Sequence, residues 1–324
     1  MSHEQITASA GAHAPEALED LLLSGLEVRA SLFHVGQYCG RWEASLAGRQ
    51  RAGFHLVVRG QCWLHAPEAE PVALAPGDAV FFLRDTPHML APRASRPDFG
   101  APLARQDMLP LSDAVADGVG LVCGFLDFSA GLSQLLIQSW PDCIVLRAQD
   151  ARFEGARALL DLLLAELARS PDARSPLIAR LIELLLFYTL RHHARYDPHA
   201  HGLLALANDA QLGPLLAALV AAPQADWTLD AMAAHVHMSR ASFHRRFTLL
   251  TALTPAQLLL YVRIQTACQA LEQGASGAQA AERAGYQSEA AFARGFQRVM
   301  GVSPAAWRRA RTGAAAVREQ PARG

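Results

Sequence analysis

Ser239-Arg240-Ala241-Ser242-Phe243-His244-Arg245-Arg246-Phe247 and Ser288-Glu289-Ala290-Ala291-Phe292-Ala293-Arg294-Gly295-Phe296 are two copies of one pattern, 49 residues apart. Pro255 and Ala256 recur at the same offset as Pro304 and Ala305. A recurrence at a fixed offset marks one supersecondary unit used twice. Each copy opens on a serine suited to cap a helix. Its phenylalanines, four apart, share one helix face and belong to a core. The pattern predicts two helix–turn–helix units. The first has Leu229–His235, a turn at Val236–Met238, and a helix from Ser239 to about Leu250. The second has Ala278–Ala284, a left-handed turn at Gly285, and a helix from Ser288 to about Met300. The first copy lacks the turn glycine, and Val236 stands in its place.

Opposite the phenylalanines, the first capped helix offers Arg240, Ala241, His244, Arg245 and Thr248. The second offers Glu289, Ala290, Ala293, Arg294 and Gln297. These residue types suit base edges in a major groove. Arg pairs with guanine, Glu accepts from cytosine, and Ala meets a thymine methyl. Arg246, Arg298, Arg308 and Arg309 fit phosphate contacts, which position without specifying. The connecting helix, roughly 255–272, spans about 27 Å at 1.5 Å per residue. That approaches one turn of DNA, about 34 Å. The expected partner is double-stranded DNA at a promoter or operator.

The string Gly285-Tyr286-Gln287-Ser288-Glu289-Ala290-Ala291-Phe292, with Phe296 to Gly301 and Val302-Ser303-Pro304, resembles the signature of the AraC/XylS family of bacterial regulators. Residues 209–311 are similar to the DNA-binding domain of that family. The resemblance implies a transcriptional regulator, dimeric, with RNA polymerase as a further partner.

Charge agrees. Residues 1–224 carry 17 arginines against 24 acids, and residues 225–324 carry 12 against 6. A basic final third after an acidic first part suggests a nucleic-acid-binding module joined to something else. The chain has 324 residues, 51% hydrophobic and 18% charged. That excludes a mostly disordered chain and points to two or three domains. No apolar run approaches 18 residues, and no basic start precedes an apolar core, so a cytoplasmic protein with no membrane partner is expected. Five scattered cysteines argue against a disulfide scaffold. Cys143 and Cys268 read as core.

Residues 26–128 read as short strands. Phe54–Val58 and Cys62–Leu64 flank Arg59-Gly60, a hairpin signal. Pro76-Gly77-Asp78 is a turn before Ala79–Leu83, and Val119–Phe128 is a further strand. Ala151–Arg169 carries Leu159, Leu160, Leu163 and Leu167 on one side. Ser175 and Pro176 then start a second helix to about Arg195. The pair reads as a helical hairpin with enough apolar surface for dimerisation. His192, His193, His199 and His201 read as solvated histidines. The fold class expected is α+β multidomain: an N-terminal cupin-like β-barrel, a helical dimerisation hairpin, and a C-terminal all-α domain with two helix-turn-helix motifs. The expected boundaries are 1–16 (tail), 17–148 (sensor), 149–205 (hairpin and linker), 206–312 (DNA binding) and 313–324 (tail).

The cupin element comes from resemblance. Gly53–Leu64, Leu74–Asp78, Pro87-His88 and Leu121–Gly124 are similar to the sensor domain of a subgroup of the family. A catalytic cupin has a His-x-His pair, and here Leu56-Val57 follow His55. If Arg59-Gly60 turns a hairpin, Val57 faces Cys62, and His55, Val57, Cys62 and Leu64 share a face. With His88 and Cys123 near, this set has ligand types for Zn or Cu. Buried packing and a small-effector pocket using His55 and His88 are the alternatives. Within the subgroup the chain resembles reactive-chlorine-sensing activators, which implies redox-sensing roles for Cys39 and Cys123. The rival reading is a metal-dependent cupin enzyme fused to a DNA-binding domain. The missing His-x-His and the lack of an acid–base pair weigh against it, so no enzyme activity is expected.

Overall fold

A computed structural model describes residues 25–99, 108–111, 117–150, 154–169, 175–196 and 202–318. Two compact units result. One comprises residues 27–128 and 140–197. The other comprises residues 1–26, 129–139 and 198–324. The first unit extends past the expected sensor boundary at residue 148. The short helix α1 (Leu132–Ile137) falls in the C-terminal unit, where a Cβ on Gly131 would lie 2.8 Å from the Met300 sulfur.

The N-terminal unit is built on two antiparallel sheets. Its strands are β1 (Val28–Tyr38), β2 (Ala52–Arg59), β3 (Cys62–His65), β4 (Val72–Leu74), β5 (Ala79–Phe82), β6 (Met89–Ala91), β7 (Val119–Phe128) and β8 (Cys143–Leu146). One sheet has the order β1-β7-β2-β5-β8 and the other β4-β3-β6. Val57, Val80, Phe82, Leu121 and Phe125 of the large sheet pack with Cys62, Leu64, Leu74 and Leu90 of the small one, and this cluster is the core between them. Residues on the opposite face of the large sheet, Phe54, Leu56, Phe81 and Val122, are buried as well.

β2 and β3 do not form the expected hairpin: they lie in different sheets. The end of β2 pairs instead with the turn before β5, where the Val57 N–H donates to the Asp78 carbonyl at 3.0 Å. Gly60, at φ +70°, turns the chain toward the second sheet, and a Cβ there would meet the Gly118 carbonyl at 2.6 Å. His55 and Cys62 still point into one interior, because the two sheets face each other. The turn at Gly77 (φ +89°) is locked by the buried Asp78. Its carboxylate accepts from the Ala75 and Ala148 N–H groups and pairs with Arg147 at 2.8 Å.

α2 (Glu154–Arg169) and α3 (Pro176–Tyr196) pack antiparallel through Leu160, Leu163 and Leu167 against a buried row from Ile178 to Leu190. Ser175 accepts the Ile178 N–H, as its position before Pro176 predicts. Glu183 interrupts the apolar run for a reason: its carboxylate accepts the Ala30 N–H at 2.9 Å and pairs with Arg180 at 2.6 Å. Ala30 lies on the edge strand β1, so Glu183 pins α3 to the sheet. His199 and His201 lie outside the described residues.

The C-terminal unit holds α4 (Gly202–Asn208), α5 (Gly213–Ala221), α6 (Leu229–His235), α7 (Arg240–Thr251), α8 (Pro255–Glu272), α9 (Gly277–Arg283), α10 (Glu289–Met300) and α11 (Pro304–Arg318). Ser239 and Ser288 cap α7 and α10 through the N–H groups of Ser242 and Ala291. Capping boxes start α8 (Thr254, Gln257) and α9 (Ser276, Gln279). Phe243, Phe247, Phe292 and Phe296 are all buried.

The left-handed residue of the first turn is His237 (φ +54°), not Val236. Met238 N–H reaches the Ala233 carbonyl, as Tyr286 N–H reaches that of Ala281, so both turns are Schellman closures. Their left-handed residues are 48 apart while the capping serines are 49 apart. One residue, at Gln287, is inserted between closure and cap in the second copy. Among the described residues no single helix is long and apolar enough to cross a membrane.

Candidate functional site

Two sets of side chains have chemistry beyond packing. The first lies on α7 and α10. Burying Phe243 and Phe247 turns Arg240, Ala241, His244 and Arg245 outward, and all four are exposed. On α10 the same constraint exposes Glu289, Ala290 and Arg294 and half-exposes Ala293. Arg240 is 3.4 Å from the exposed Asp230 carboxylate, a pair too solvated to hold it. Arg298 and Arg308 are exposed, as a phosphate-contacting role requires. Arg246 differs from expectation. Its guanidinium donates to Asp209 at 2.8 Å and to Gln211 at 2.5 Å, while Gln211 donates to the Val236 carbonyl at 2.9 Å. Arg246 ties α7 to the turn before α5, a role the sequence did not suggest. That pairing, with N–H donation from Gln211 and Leu212, outweighs the opposing effect of burial and holds the Asp209 carboxyl below its ordinary range.

The second set lies on the inner face of the large sheet. Register places His34, Cys123, His55 and Val80 in one row across β1, β7, β2 and β5. Cross-strand partners point to the same side, so His34, Cys123 and His55 face one interior. His88, just before β6, meets the row from the facing wall, 2.9 Å from His55 between Nε2 atoms. The proton positions follow from one fixed acceptor. Thr86 O, 2.7 Å from His88 Nδ1, can only accept, so Nδ1 donates. In the neutral ring His88 Nε2 then accepts, from His55 Nε2–H and from the Leu46 N–H at 3.3 Å. His55 Nδ1 in turn accepts from the Cys123 thiol at 2.9 Å. Cys123, His55, His88 and Thr86 thus form a single directed chain.

Every titratable group of the row is driven toward its neutral form. Burial, and then the facing His88, push the His55 pKa well below its ordinary value. Burial lowers His88 and His34. It raises the Cys123 thiol well above its usual range and Cys62 to about 12. Tyr38, 2.9 Å from His34 Nε2 and stacked on Trp42, is pushed up to about 12 by burial and then by Cys123.

This geometry bears on two expectations. His55 spends Nδ1 on Cys123 and Nε2 on His88, on opposite sides of its ring, so His55, His88 and Cys123 cannot converge on one ion. Among the described residues no group of three or more His, Cys, Asp or Glu side chains is disposed to hold a metal. The Zn or Cu set of His55, Cys62, His88 and Cys123 is thus not assembled. The redox pair fares similarly. Tyr38 lies opposite Val119 and His34 opposite Cys123, so Cys39 and Cys123 are offset by five residues along the strands, about 17 Å. A disulfide tolerates about 7 Å between Cα atoms. The Cys123 thiol is buried and held protonated, the opposite of a reactive thiolate.

His34, Tyr38, Trp42 and Thr86 were not identified from sequence. The readable signal was the i, i+4 placement of His34 and Tyr38, which puts both on one face of β1.

Residues 16–195 match the family model described as a cupin, and residues 232–310 match that of a helix-turn-helix domain. An uncharacterised HTH-type transcriptional regulator of Haemophilus influenzae is 29% identical, over 90% of this chain and 97% of its own length. A putative AraC-like transcription regulator of Streptomyces lividans is also 29% identical, over 91% and 98%. The RCS-specific HTH-type transcriptional activator RclR of Escherichia coli is 23% identical, over 79% and 83%. Among solved structures, the DNA-binding domain of AdpA in complex with a target DNA is 35% identical, covering 31% of this chain and 95% of that one, with a TM-score of 0.30.

Proposed function

The chain belongs to the AraC family of transcriptional regulators, with a cupin domain ahead of a helix-turn-helix domain, and from that premise we propose how it reads DNA and where it receives its signal. It binds DNA with two helix-turn-helix motifs, α6–α7 and α9–α10. Arg240, Ala241, His244 and Arg245 face base edges in one major groove, and Glu289, Ala290, Ala293 and Arg294 in the next. Arg298 and Arg308 hold phosphates. The observation that carries this reading is the repeated capped helix with phenylalanines buried and base-reading side chains exposed. Arg245→Ala and Arg294→Ala should each weaken binding to the cognate upstream fragment by about 1–3 kcal/mol, roughly 5- to 150-fold, at constant salt. Unchanged affinity in gel-shift titrations of both variants overturns the assignment.

The signal is a small effector received at the inner-face row of the cupin domain. Its supporting observation is the His34–Tyr38 pair, half-buried and continuous with the Cys123–His55–His88 chain. The regulator acts as a homodimer through α2 and α3, where Leu162, Leu177 and Leu184 are 59%, 52% and 47% exposed. Leu162→Glu with Leu184→Glu should convert the dimer to monomer in sedimentation. A dimer that survives both changes places the interface elsewhere.

A further inference from the structure

We propose that the helical unit carries a second small-molecule site, a cleft between its two repeats. Its ligand is an anion with an aromatic body, and its binding lowers affinity for DNA. The regulatory half of this inference rests on the DNA-reading assignment above; the site itself does not.

The cleft holds about 550 Å³, within the roughly 300–1,000 Å³ of small-molecule sites. Trp227 and Met232 wall it from the first repeat, His244 from α7, Leu259 and Arg263 from α8, and Tyr286 from the second turn. Its shape is fixed by bonds that the walls make behind them. The Trp227 indole donates to the Ala222 carbonyl at 2.8 Å and presents only its ring. Arg263 donates to the Pro223 and Ala225 carbonyls at 2.9 and 3.0 Å, which holds its guanidinium over the Tyr286 ring at 6.0 Å.

These walls select a class of ligand. Indole, phenol ring, thioether and leucine surfaces favour a flat apolar body. Among the described residues no carboxylate lines the cleft and one guanidinium does, so the local charge favours an anion. The His244 imidazole and the Tyr286 hydroxyl are left without a hydrogen-bond partner among the described residues, and both suit an anionic oxygen.

One recognition helix lines this cleft through His244, and the other adjoins it through Tyr286. A ligand that engages His244 withdraws a base-reading group from α7. Tyr286 leads to α10: a Cβ on Gly295 would sit 2.6 Å from its hydroxyl. The second turn is equally tight, since a Cβ on Gly285 would sit 2.6 Å from Gln224 Cα. A ligand that moves Tyr286 therefore disturbs α10 as well.

The test uses the full chain labelled with methyl-¹³C methionine. Met232, buried in the cleft wall, is the reporter, assigned through Met232→Leu. Met89, in the sheet core, is the control. The probes are 2-naphthoate and the cation 2-naphthylmethylammonium. We expect a saturable Met232 shift with naphthoate, an affinity at least about 5-fold weaker for the cation, and no shift at Met89. Saturating naphthoate should weaken operator binding, and bound operator should weaken naphthoate binding by the same factor. Ala256→Phe at the rim should abolish the Met232 response without changing the far-ultraviolet spectrum. A Met232 signal unmoved at about 5 mM naphthoate, equal response to both probes, or operator affinity indifferent to naphthoate overturns the proposal. A chain that shifts at Met232 yet binds no operator supports the site and defeats the DNA assignment.

Discussion

Acidification should destabilise the N-terminal unit, and the buried His55 sets much of the size of the effect. His55 has an ordinary value of 6.5 and is held well below it by burial and by the facing His88. A lowered histidine pKa means that the unfolded chain binds more protons than the folded one as pH falls below 6.5. Stability is therefore complete above about pH 6.5 and declines below it. While His55 stays neutral, moving from pH 7.5 to 5.5 removes about 1.4 kcal/mol. His88 is shifted in the same direction and adds to that loss. The assay is urea unfolding of the full chain at both pH values in a Trp227→Phe, Trp307→Phe background. The remaining tryptophans, Trp42, Trp63 and Trp140, all lie in the N-terminal unit. His55→Phe removes the titrating group. The variant should be less stable at pH 7.5, because the Cys123 thiol and His88 Nε2 lose their common partner, yet lose about 1.4 kcal/mol less on acidification. A wild-type transition that is flat with pH, or a variant that keeps the full slope, refutes the buried neutral pair.

Three further outcomes test other parts of the structure. Ala252 ends α7 in the left-handed region at φ +58°, where α10 ends on Gly301 at φ +73°; Ala252→Gly should raise stability by roughly 0.5–1 kcal/mol in urea titrations. Glu183→Leu leaves the Ala30 N–H without its carboxylate and should cost about 1–3 kcal/mol, whereas Glu183→Gln, which keeps an acceptor, should cost less; equal effects would remove the role given to that hydrogen bond. Arg246→Ala should lower stability by no more than about 1 kcal/mol, because the guanidinium is partly solvated, while leaving the salt slope of DNA binding unchanged. A slope reduced by about one would restore it as a phosphate contact.

The helical third was legible because each of its signals is local. A serine before an amphipathic run caps a helix whatever lies elsewhere, and phenylalanines four apart share a face whatever they pack on. Offsets read from one feature need not hold for another: the serines and phenylalanines repeat at 49, the Schellman closures at 48, and so Val236 was aligned with Gly285 when His237 performs its role. The sheets were legible as strands but not as partners. Alternation along β2 and β3 shows which residues share a face. It is silent on whether two strands separated by Arg59-Gly60 pair with each other or with distant ones. That choice was made by Asp78, whose backbone and carboxylate fix the turn against the end of β2.

The same limit applies to the polar side chains of the N-terminal unit. A list containing His55, Cys62, His88 and Cys123 has the donors of a metal site and the thiol of a redox sensor, and nothing in their spacing separates the two. Orientation does. A metal needs lone pairs that converge, and His55 has turned its two nitrogens to opposite neighbours. An oxidant needs a thiolate, and burial holds Cys123 protonated while the neutral His55 accepts its hydrogen. A further charge placed in this interior would meet the cost that already keeps three histidines, two thiols and a tyrosine neutral. The groups at its margin, His34 and Tyr38 beside Trp42, instead suit a neutral, hydrogen-bonding molecule with a flat face. On the proposed reading, an effector of that kind would act by exchanging partners along the Cys123–His55–His88 chain, which links β7, β2 and the segment before β6.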